Sequence, residues 1–182
     1  MASTTPLKQR YIKDVVPALE SEFGYHNRLS VPRLTKVVVH IGTGAGLKDA
    51  KFLEMAESTL QRITGQRPVK TLAKKSIANF KIREGMVVGL KITMRGQRMW
   101  DFLTKLVHVA LPRVRDFRGL DPKIVDQSGN ATIGFKEHVM FPEIRNDEVE
   151  RLHGLEIIIA TTAQSQKEGL ALLRHLGFPF YK

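Results

Sequence analysis

The feature that most restricts the fold of this chain is a strict alternation of apolar and polar residues within residues 86–95. In the string LKITMR, Leu90, Ile92 and Met94 alternate with a lysine, a threonine and an arginine. Successive side chains of a β-strand point to opposite faces of a sheet, so this pattern predicts a strand with one core face and one polar, cationic face. Residues 33–41 predict a second strand of the same kind.

Other segments show apolar residues at helical spacing, or short runs typical of strands. Helices are predicted at residues 6–23, 49–64, 97–114 and 166–176, and further strands at 67–73, 131–136 and 155–162. Pro17 and Pro112 lie inside two of these helices and are expected to kink or end them. Strands with helices between them predict an α+β layer in which one polar face of the sheet is left open.

The positive charge of the chain is concentrated in one contiguous third. The sequence has 29 lysines and arginines against 18 acids, a net charge of +11. Residues 62–118 alone hold 14 basic and 3 acidic residues, so the remainder of the chain is balanced. Such a distribution indicates an anionic partner, either nucleic acid or an anionic membrane surface. The apolar runs are far too short to span a membrane.

No motif for catalysis or metal binding is found in the sequence. The chain has no cysteine, which excludes disulfides, thiol catalysis and cysteine-based metal sites. Neither a P-loop nor a nucleophile elbow occurs, and the histidines are too far apart in sequence for a local metal-ligand pair. We therefore predict no catalytic residue, no metal site and no cofactor.

The glycine-rich string GTGAG at residues 42–46 follows a predicted strand and precedes a predicted helix. That setting is typical of dinucleotide-binding sites, and it raises the alternative of a nucleotide-dependent enzyme. The third glycine of such a fingerprint would fall at Leu47, however, and no acid lies between Glu57 and Glu84 to bind a ribose. The string is better interpreted as a tight turn, whose exposed amides could still hold an RNA phosphate.

A basic segment joins the strands predicted at 67–73 and 86–95. It combines four cations with two apolar side chains, namely Lys74, Lys75, Lys81, Arg83, Ile77 and Phe80. One interpretation is a solvated hairpin loop, and the other is a loop that contacts phosphate. The chain has few aromatic residues and no RRM string. A rigid face bearing Lys91, Thr93 and Arg95 against the minor groove of structured RNA is therefore favoured over stacking on single-stranded bases.

The segment at residues 137–150 carries the opposite sign. It has five acids against Arg145 alone. Because acidic residues repel RNA phosphate, the segment is interpreted either as a solvated loop or as a contact with a basic protein.

Strings along the whole chain are shared, in order, with one known family. The most specific is VALPRVRDFRG at 109–119, and it is accompanied by AKKSIANFKIREGM at 73–86, MRGQRMWDFLTKL at 94–106, FPEI at 141–144 and the ending ALLRHLGFPFYK. In these strings the chain resembles bacterial-type large-subunit ribosomal protein five, the binder of 5S rRNA. We expect a single domain over residues 1–182, with an N-terminal helix at 6–23, an RNA-binding core at about 33–118 and a C-terminal part at about 119–182.

The resemblance implies an α+β fold, in which a largely antiparallel sheet carries helices on one face and leaves an open basic face for RNA. It also implies a structural component of the large ribosomal subunit, in the cytoplasm or in an organelle. Its implied place is the central protuberance, where it helps attach 5S rRNA. The implied partners are 5S rRNA, large-subunit rRNA, P-site tRNA, other central-protuberance proteins and a basic small-subunit protein across an inter-subunit bridge, with no membrane.

The same resemblance implies three groups of site residues. Contacts with 5S rRNA are expected at His40, Gln66 and Thr93, supported by Arg67, Lys70, Lys91 and Arg95. The loop that reaches toward the elbow of P-site tRNA would comprise Lys74, Lys75, Ser76, Ile77, Phe80, Lys81 and Arg83. The small-subunit bridge would use Glu137, Glu143, Asp147 and Glu148. Histidine at position 40 departs from the family's usual asparagine, and an imidazole cannot present the donor and acceptor of an amide side by side.

Overall fold

The computed structural model describes residues 6–44, 49–145 and 151–181. A five-stranded antiparallel sheet is formed by β1 (Leu34–Gly42), β2 (Val69–Leu72), β3 (Val87–Met94), β4 (Ala131–Phe135) and β5 (Leu155–Thr161). The strand order is β2-β3-β1-β5-β4, so β2 and β4 are the edge strands. The helices are α1 (Pro6–Arg10), α2 (Val16–Phe23), α3 (Ala50–Thr64), α4 (Gly96–Lys105) and α5 (Gln166–Leu176). The predicted α+β fold is confirmed.

The two faces of the sheet divide as the alternation predicts. On β3, Leu90, Ile92 and Met94 are at most 1% exposed, whereas the lysine and threonine between them are exposed or half-buried. On β1, Val37 and Val39 are fully buried and their neighbours face the other way. The apolar side of each strand therefore belongs to the core, and the polar side is left available to a partner.

Each of the two proline-containing helical stretches has a π-helical turn that ends two residues before its proline. The turn Tyr11–Val15 precedes Pro17, and the turn Leu106–Ala110 precedes Pro112. A proline lacks an N–H, and its ring clashes with the carbonyl four residues earlier, so a wider turn relieves the clash. The first stretch continues through α2, whereas the second ends in the short 3-10 turn Leu111–Arg113.

Helix α3 has well-defined signals at both ends. The carboxylate of Asp49 accepts hydrogen bonds from the backbone N–H groups of Lys51 and Phe52, which caps the first turn. Gly65 ends the helix with a left-handed φ of 66°. The chain then turns directly into the segment that carries Gln66 and Arg67.

The chain divides into two compact units. Unit 1 comprises Met1–Val37, Met94–Ile133 and Ile158–Lys182, and it contains α1, α2, α4 and α5. Unit 2 comprises Val38–Thr93 and Gly134–Ile157, and it contains α3 and the connection between β2 and β3. Within unit 1, the rings of Tyr11 and Trp100 lie 5.6 Å apart, which joins the N-terminal helical stretch to α4.

Candidate nucleic-acid interface

One side of the sheet in unit 2 carries polar side chains that stay at least partly exposed. We call this side the open face. In the register of β2 with β3, Val69 lies opposite Lys91 and Thr71 opposite Gly89, so these residues share the open face. The polar residues on it that alternate with buried neighbours are His40, Thr93 and Glu156. The sequence pattern of β3 found Lys91 and Thr93, and the resemblance found His40.

His40 lies across the backbone of β3, at Gly89. A Cβ added to Gly89 would come within 2.7 Å of Nε2 of His40, 2.9 Å of Oγ1 of Thr71 and 3.0 Å of the carbonyl oxygen of Ile41. Only glycine leaves room for the imidazole here, which explains a glycine inside a strand. On the other side of the ring, Nδ1 is 3.8 Å from the carboxylate of Glu156.

Thr71, Gly89 and Glu156 are therefore members of the open face that sequence reasoning missed. Two signals could have found them. A glycine inside an alternating strand indicates a close approach by another group. Glu156 is the single acid within the strand predicted at 155–162, and it stands between two residues that are buried.

Gln66 reaches the open face at the end of β3. Its side-chain amide donates a hydrogen bond of 3.4 Å to the backbone carbonyl of Thr93. The structure thus brings together two of the three residues that the resemblance selects for 5S rRNA. Lys91 stands between Thr93 and Gly89 on the same strand, with an exposed side chain.

Arg67 and Lys70 are placed differently from this group. Lys70 pairs in register with the buried Leu90, so its side chain points to the helix-covered side of β2 and not to the open face. Both cations approach the carboxylate of Glu57 on α3, with N–O distances of 3.6 Å for Arg67 and 3.5 Å for Lys70. Lys70 therefore does not lie on the open face, because the pairing register sets the direction of its side chain.

Arg95 follows β3 in an extended conformation and is the N-cap residue of α4. Its side chain is exposed, and it belongs to unit 1.

The connection between β2 and β3 forms a small hairpin of its own. Ile77 and Ile82 exchange backbone hydrogen bonds of 2.9 and 3.2 Å around the 3-10 turn Ala78–Phe80. The hydroxyl of Ser76 accepts a further hydrogen bond from the backbone N–H of Glu84. The backbone of this loop is therefore ordered by internal hydrogen bonds, although its side chains remain in solvent.

The hairpin presents cations and apolar groups together. Phe80 is 68% exposed and Ile77 is 45% exposed. The cations around them are exposed and form no ion pair with any residue in the described ranges; they are Lys74, Lys75, Lys81 and Arg83. Solvated apolar side chains next to free cations are typical of a contact surface.

The glycine turn is only partly described. The backbone N–H of Thr43 donates to the carbonyl of Val88 at 3.1 Å, so this amide is used within the sheet and is not free for a phosphate. Residues 45–48, which include the end of GTGAG, lie outside the described residues.

The acidic segment is described up to residue 145. Glu137 is exposed and Glu143 is half-buried, whereas Asp147 and Glu148 lie outside the described residues. Across residues 6–44, 49–145 and 151–181, no cluster of histidine and carboxylate side chains could hold a metal ion. No helix within those ranges has the length and apolar character needed to cross a membrane.

Two family models together match most of the chain. The model described as ribosomal protein L5 matches residues 27–83, and the model described as the C-terminus of the ribosomal L5 family matches residues 87–180.

Curated relatives match over almost the full length. The chain is 52% identical over 174 residues to large ribosomal subunit protein uL5 of Symbiobacterium thermophilum, covering 96% of this chain and 97% of the relative. It is 51% identical to the protein of the same name from Kosmotoga olearia, covering 96% of each chain. The uL5 protein of Thermobifida fusca is 53% identical, with 96% of this chain and 91% of the relative covered.

Proposed function

The chain belongs to the family of bacterial-type large ribosomal subunit protein uL5, and from that membership we propose that it binds 5S rRNA through the open face. The family is one of structural ribosomal proteins, so the alternative of a nucleotide-dependent enzyme is set aside. The chain is accordingly a structural component of the large subunit of cytoplasmic ribosomes.

The observation that carries the proposal is the composition and rigidity of the open face. His40, Lys91 and Thr93 stand on paired strands whose opposite sides are buried, so their backbone positions are fixed before RNA arrives. Hydroxyl and imidazole groups can bond 2′-hydroxyls, and a lysine can contact phosphate, across the shallow minor groove of an RNA helix. The side chain of Gln66 is hydrogen-bonded to the backbone of Thr93 and so lies beside the open face. Arg95 comes directly after β3 and adds a further cation.

Arg67 and Lys70 have a secondary role in this proposal. Because Lys70 points away from the open face and both cations approach Glu57, we expect them to meet phosphates only beyond the β2 edge. Both ion pairs are long and their cations are largely in solvent, so the cations can exchange Glu57 for phosphate at small cost.

The hairpin at residues 74–83 is proposed to contact P-site tRNA within the central protuberance. Its free cations and its exposed Ile77 and Phe80 support a contact that forms and breaks repeatedly, since screened phosphate contacts are weak. Other partners in the proposal are large-subunit rRNA and neighbouring proteins of the protuberance. The acidic segment is proposed to meet a basic small-subunit protein, through Glu137 and Glu143 and through Asp147 and Glu148.

Binding to a 5S rRNA transcript tests the open face against the hairpin. The substitution Thr93→Ala is expected to weaken binding by roughly 1–3 kcal/mol, because it removes a hydroxyl that the RNA would bury. The double substitution Lys74→Ala with Lys75→Ala removes two charges outside the open face and is expected to leave this affinity nearly unchanged. It should instead weaken tRNA binding to reconstituted large subunits. Equal losses of 5S rRNA affinity in both variants would refute this division of roles.

A further inference from the structure

The string VALPRVRDFRG at 109–119 contains three arginines that the proposed function does not use. Arg113, Arg115 and Arg118 are all exposed and belong to unit 1, whereas the open face belongs to unit 2. Within the part of the chain that the structure describes, none of the three guanidinium groups forms an ion pair or a side-chain hydrogen bond. We call these residues the arginine segment.

The arginine segment is anchored at both ends. At its start Leu111 is fully buried, and its carbonyl accepts a hydrogen bond of 3.2 Å from the N–H of Val114. At its end Leu120 is 6% exposed and donates a backbone hydrogen bond of 2.7 Å to the carbonyl of Pro179. The N–H of Tyr181 returns a bond of 3.2 Å to the carbonyl of Leu120. An anchored segment loses less conformational entropy on binding than a free loop does.

Gly119 makes the second anchor possible. It has a φ of +115°, and a Cβ at this position would lie 2.7 Å from the backbone nitrogen of Tyr181. Only glycine permits both this conformation and this approach of the C-terminal segment. The arginine segment is therefore held in one path by buried contacts, although its side chains project into solvent.

The nearby acids do not neutralise the arginines. The carboxylate of Asp121 accepts a hydrogen bond of 2.8 Å from the backbone N–H of Lys123, and it also bonds the side chain of Tyr181. Asp116 is exposed in a left-handed conformation with a φ of 53°, and no ion pair joins it to the arginines. Three arginines thus lie within a span of six residues of the sequence, and their guanidinium N–H groups are available to a partner.

We infer that Arg113, Arg115 and Arg118 form a second RNA-binding surface, which takes the phosphate backbone of a base-paired RNA segment separately from the open face. A guanidinium group presents paired N–H donors that match a phosphate bidentately, which a lysine cannot do. The segment has no aromatic stacking platform beyond the half-buried Phe117, so contact with backbone is favoured over contact with bases. The choice of RNA among polyanions rests on the proposed function.

Binding of the full chain to a mixed-sequence RNA duplex of about 20 base pairs tests the inference across a salt series. The triple substitution Arg113→Gln, Arg115→Gln and Arg118→Gln is expected to lower affinity roughly ten-fold or more. The slope of log affinity against log salt concentration should fall by about two to three, because three phosphate contacts no longer release counterions. A matched control, Lys51→Gln with Lys136→Gln and Lys167→Gln, removes the same charge from exposed positions elsewhere. Its expected loss is about three-fold or less.

Three outcomes would overturn the inference. The first is an equal loss of affinity in the triple variant and in the lysine control. The second is full affinity of an all-lysine variant (Arg113→Lys, Arg115→Lys, Arg118→Lys), since bidentate recognition requires arginine. The third is an equally large loss of binding to polyglutamate, which would indicate a general anion site.

The inference and the proposed function fail separately. Thr93→Ala is expected to weaken binding of the 5S rRNA transcript more than binding of the duplex, whereas the arginine variant is expected to affect the duplex most. If Thr93→Ala changes neither RNA while the arginine variant loses the duplex, the open-face proposal fails and the arginine surface stands. Circular dichroism and thermal unfolding establish that each variant is folded.

Discussion

Two buried histidines stack against each other in unit 2. The rings of His138 and His153 are 3.9 Å apart and nearly parallel, at an angle of 9°, and both residues are at most 7% exposed. Nδ1 of His138 lies 3.2 Å from the backbone carbonyl of His153. Nε2 of His153 is buried and has no hydrogen-bond partner among the residues described. A second ring proton, placed on this nitrogen, would make the imidazole cationic with no acceptor for that proton among the residues described.

The stacked pair makes stability depend on pH. Burial lowers the pKa of His138, and burial together with the neighbouring His138 lowers the pKa of His153 to about 4. In the unfolded chain His153 takes up a proton near pH 6.5, whereas in the folded protein it does not. The contribution of His153 to the free energy of unfolding is therefore fully present above about pH 6.5 and is lost as the pH falls toward 4. We expect the free energy of unfolding to fall by about 2 kcal/mol between pH 7 and pH 5.

Urea unfolding of the wild type and of His153→Phe at the two pH values measures this contribution. Phenylalanine keeps a planar ring next to Phe52 but cannot be protonated, so the pH-dependent part of the loss should shrink in the variant. An identical pH dependence in the two proteins would assign the effect to other groups.

At the scale of elements, the start of α5 has a variant of the capping box, in which the carboxylate bonds the residue before the N-cap. The hydroxyl of Ser165 accepts a hydrogen bond from the N–H of Glu168 at 3.3 Å, and the carboxylate of Glu168 accepts one from the N–H of Gln164 at 2.8 Å. The first of these bonds satisfies a backbone donor that the first helical turn leaves unpaired, and the second holds the residue before the N-cap. The sequence predicted this helix with the bounds that the structure has, since the signals for both ends are local.

The substitution Ser165→Ala is expected to lower the free energy of unfolding by about 1 kcal/mol, whereas Ser165→Gly should cost only a few tenths. A glycine leaves the N-terminal amides accessible to water, and an alanine does not replace the lost acceptor. Urea unfolding of both variants checks this expectation. A loss in Ser165→Gly equal to that in Ser165→Ala would mean that packing of the serine, and not capping, is responsible.

The two proline-containing helical stretches show that a sequence pattern does not predict whether a helix resumes after a proline. Both prolines were expected to kink or end a helix, and both follow a π turn. One stretch continues for six residues beyond Pro17, whereas the other leaves the helical conformation soon after Pro112. A proline forbids one hydrogen bond, but the packing of the following residues decides whether the helix resumes.

At the scale of the whole molecule, long-range contacts decide which of two phenylalanines with similar sequence surroundings is buried. Phe178 lies near the C-terminus and is 4% exposed, and its N–H donates to the carbonyl of Leu173. Phe80 lies in the hairpin and is 68% exposed. Phe178 stands between a glycine and a proline, and Phe80 between an asparagine and a lysine. Neither string has a helical or strand period, so local pattern does not distinguish a core residue from a contact residue.

Phe178→Ala is expected to lower the free energy of unfolding by about 3 kcal/mol or more, because it leaves a cavity in the core of unit 1. Phe80→Ala serves as the matched control and should change it by less than about 0.5 kcal/mol. Thermal or urea unfolding measures both variants. A comparable loss in Phe80→Ala would show that the hairpin tip is buried in the free protein.

The sequence by itself determined the elements, the core side of β1 and β3 and the cationic character of residues 62–118. These properties follow from the periodicity of side chains along a strand or helix and from signals within a few residues of each end. They held for β1, β3, α3 and α5 to within about one or two residues. The string VALPRVRDFRG likewise indicated the family, because it is a pattern of adjacent residues.

Only the tertiary structure decided which of the cations and polar groups stand together. The pairing of Lys70 with Leu90 turned that lysine away from the open face, and the crossing of His40 over Gly89 joined β1 to β3. The return of the C-terminal segment to Leu120 anchored the arginine segment. The register of paired strands, the approach of a side chain to a neighbouring strand and the pairing of the C-terminal segment with Leu120 all depend on contacts between residues far apart in sequence. A pattern of neighbouring residues does not predict such contacts.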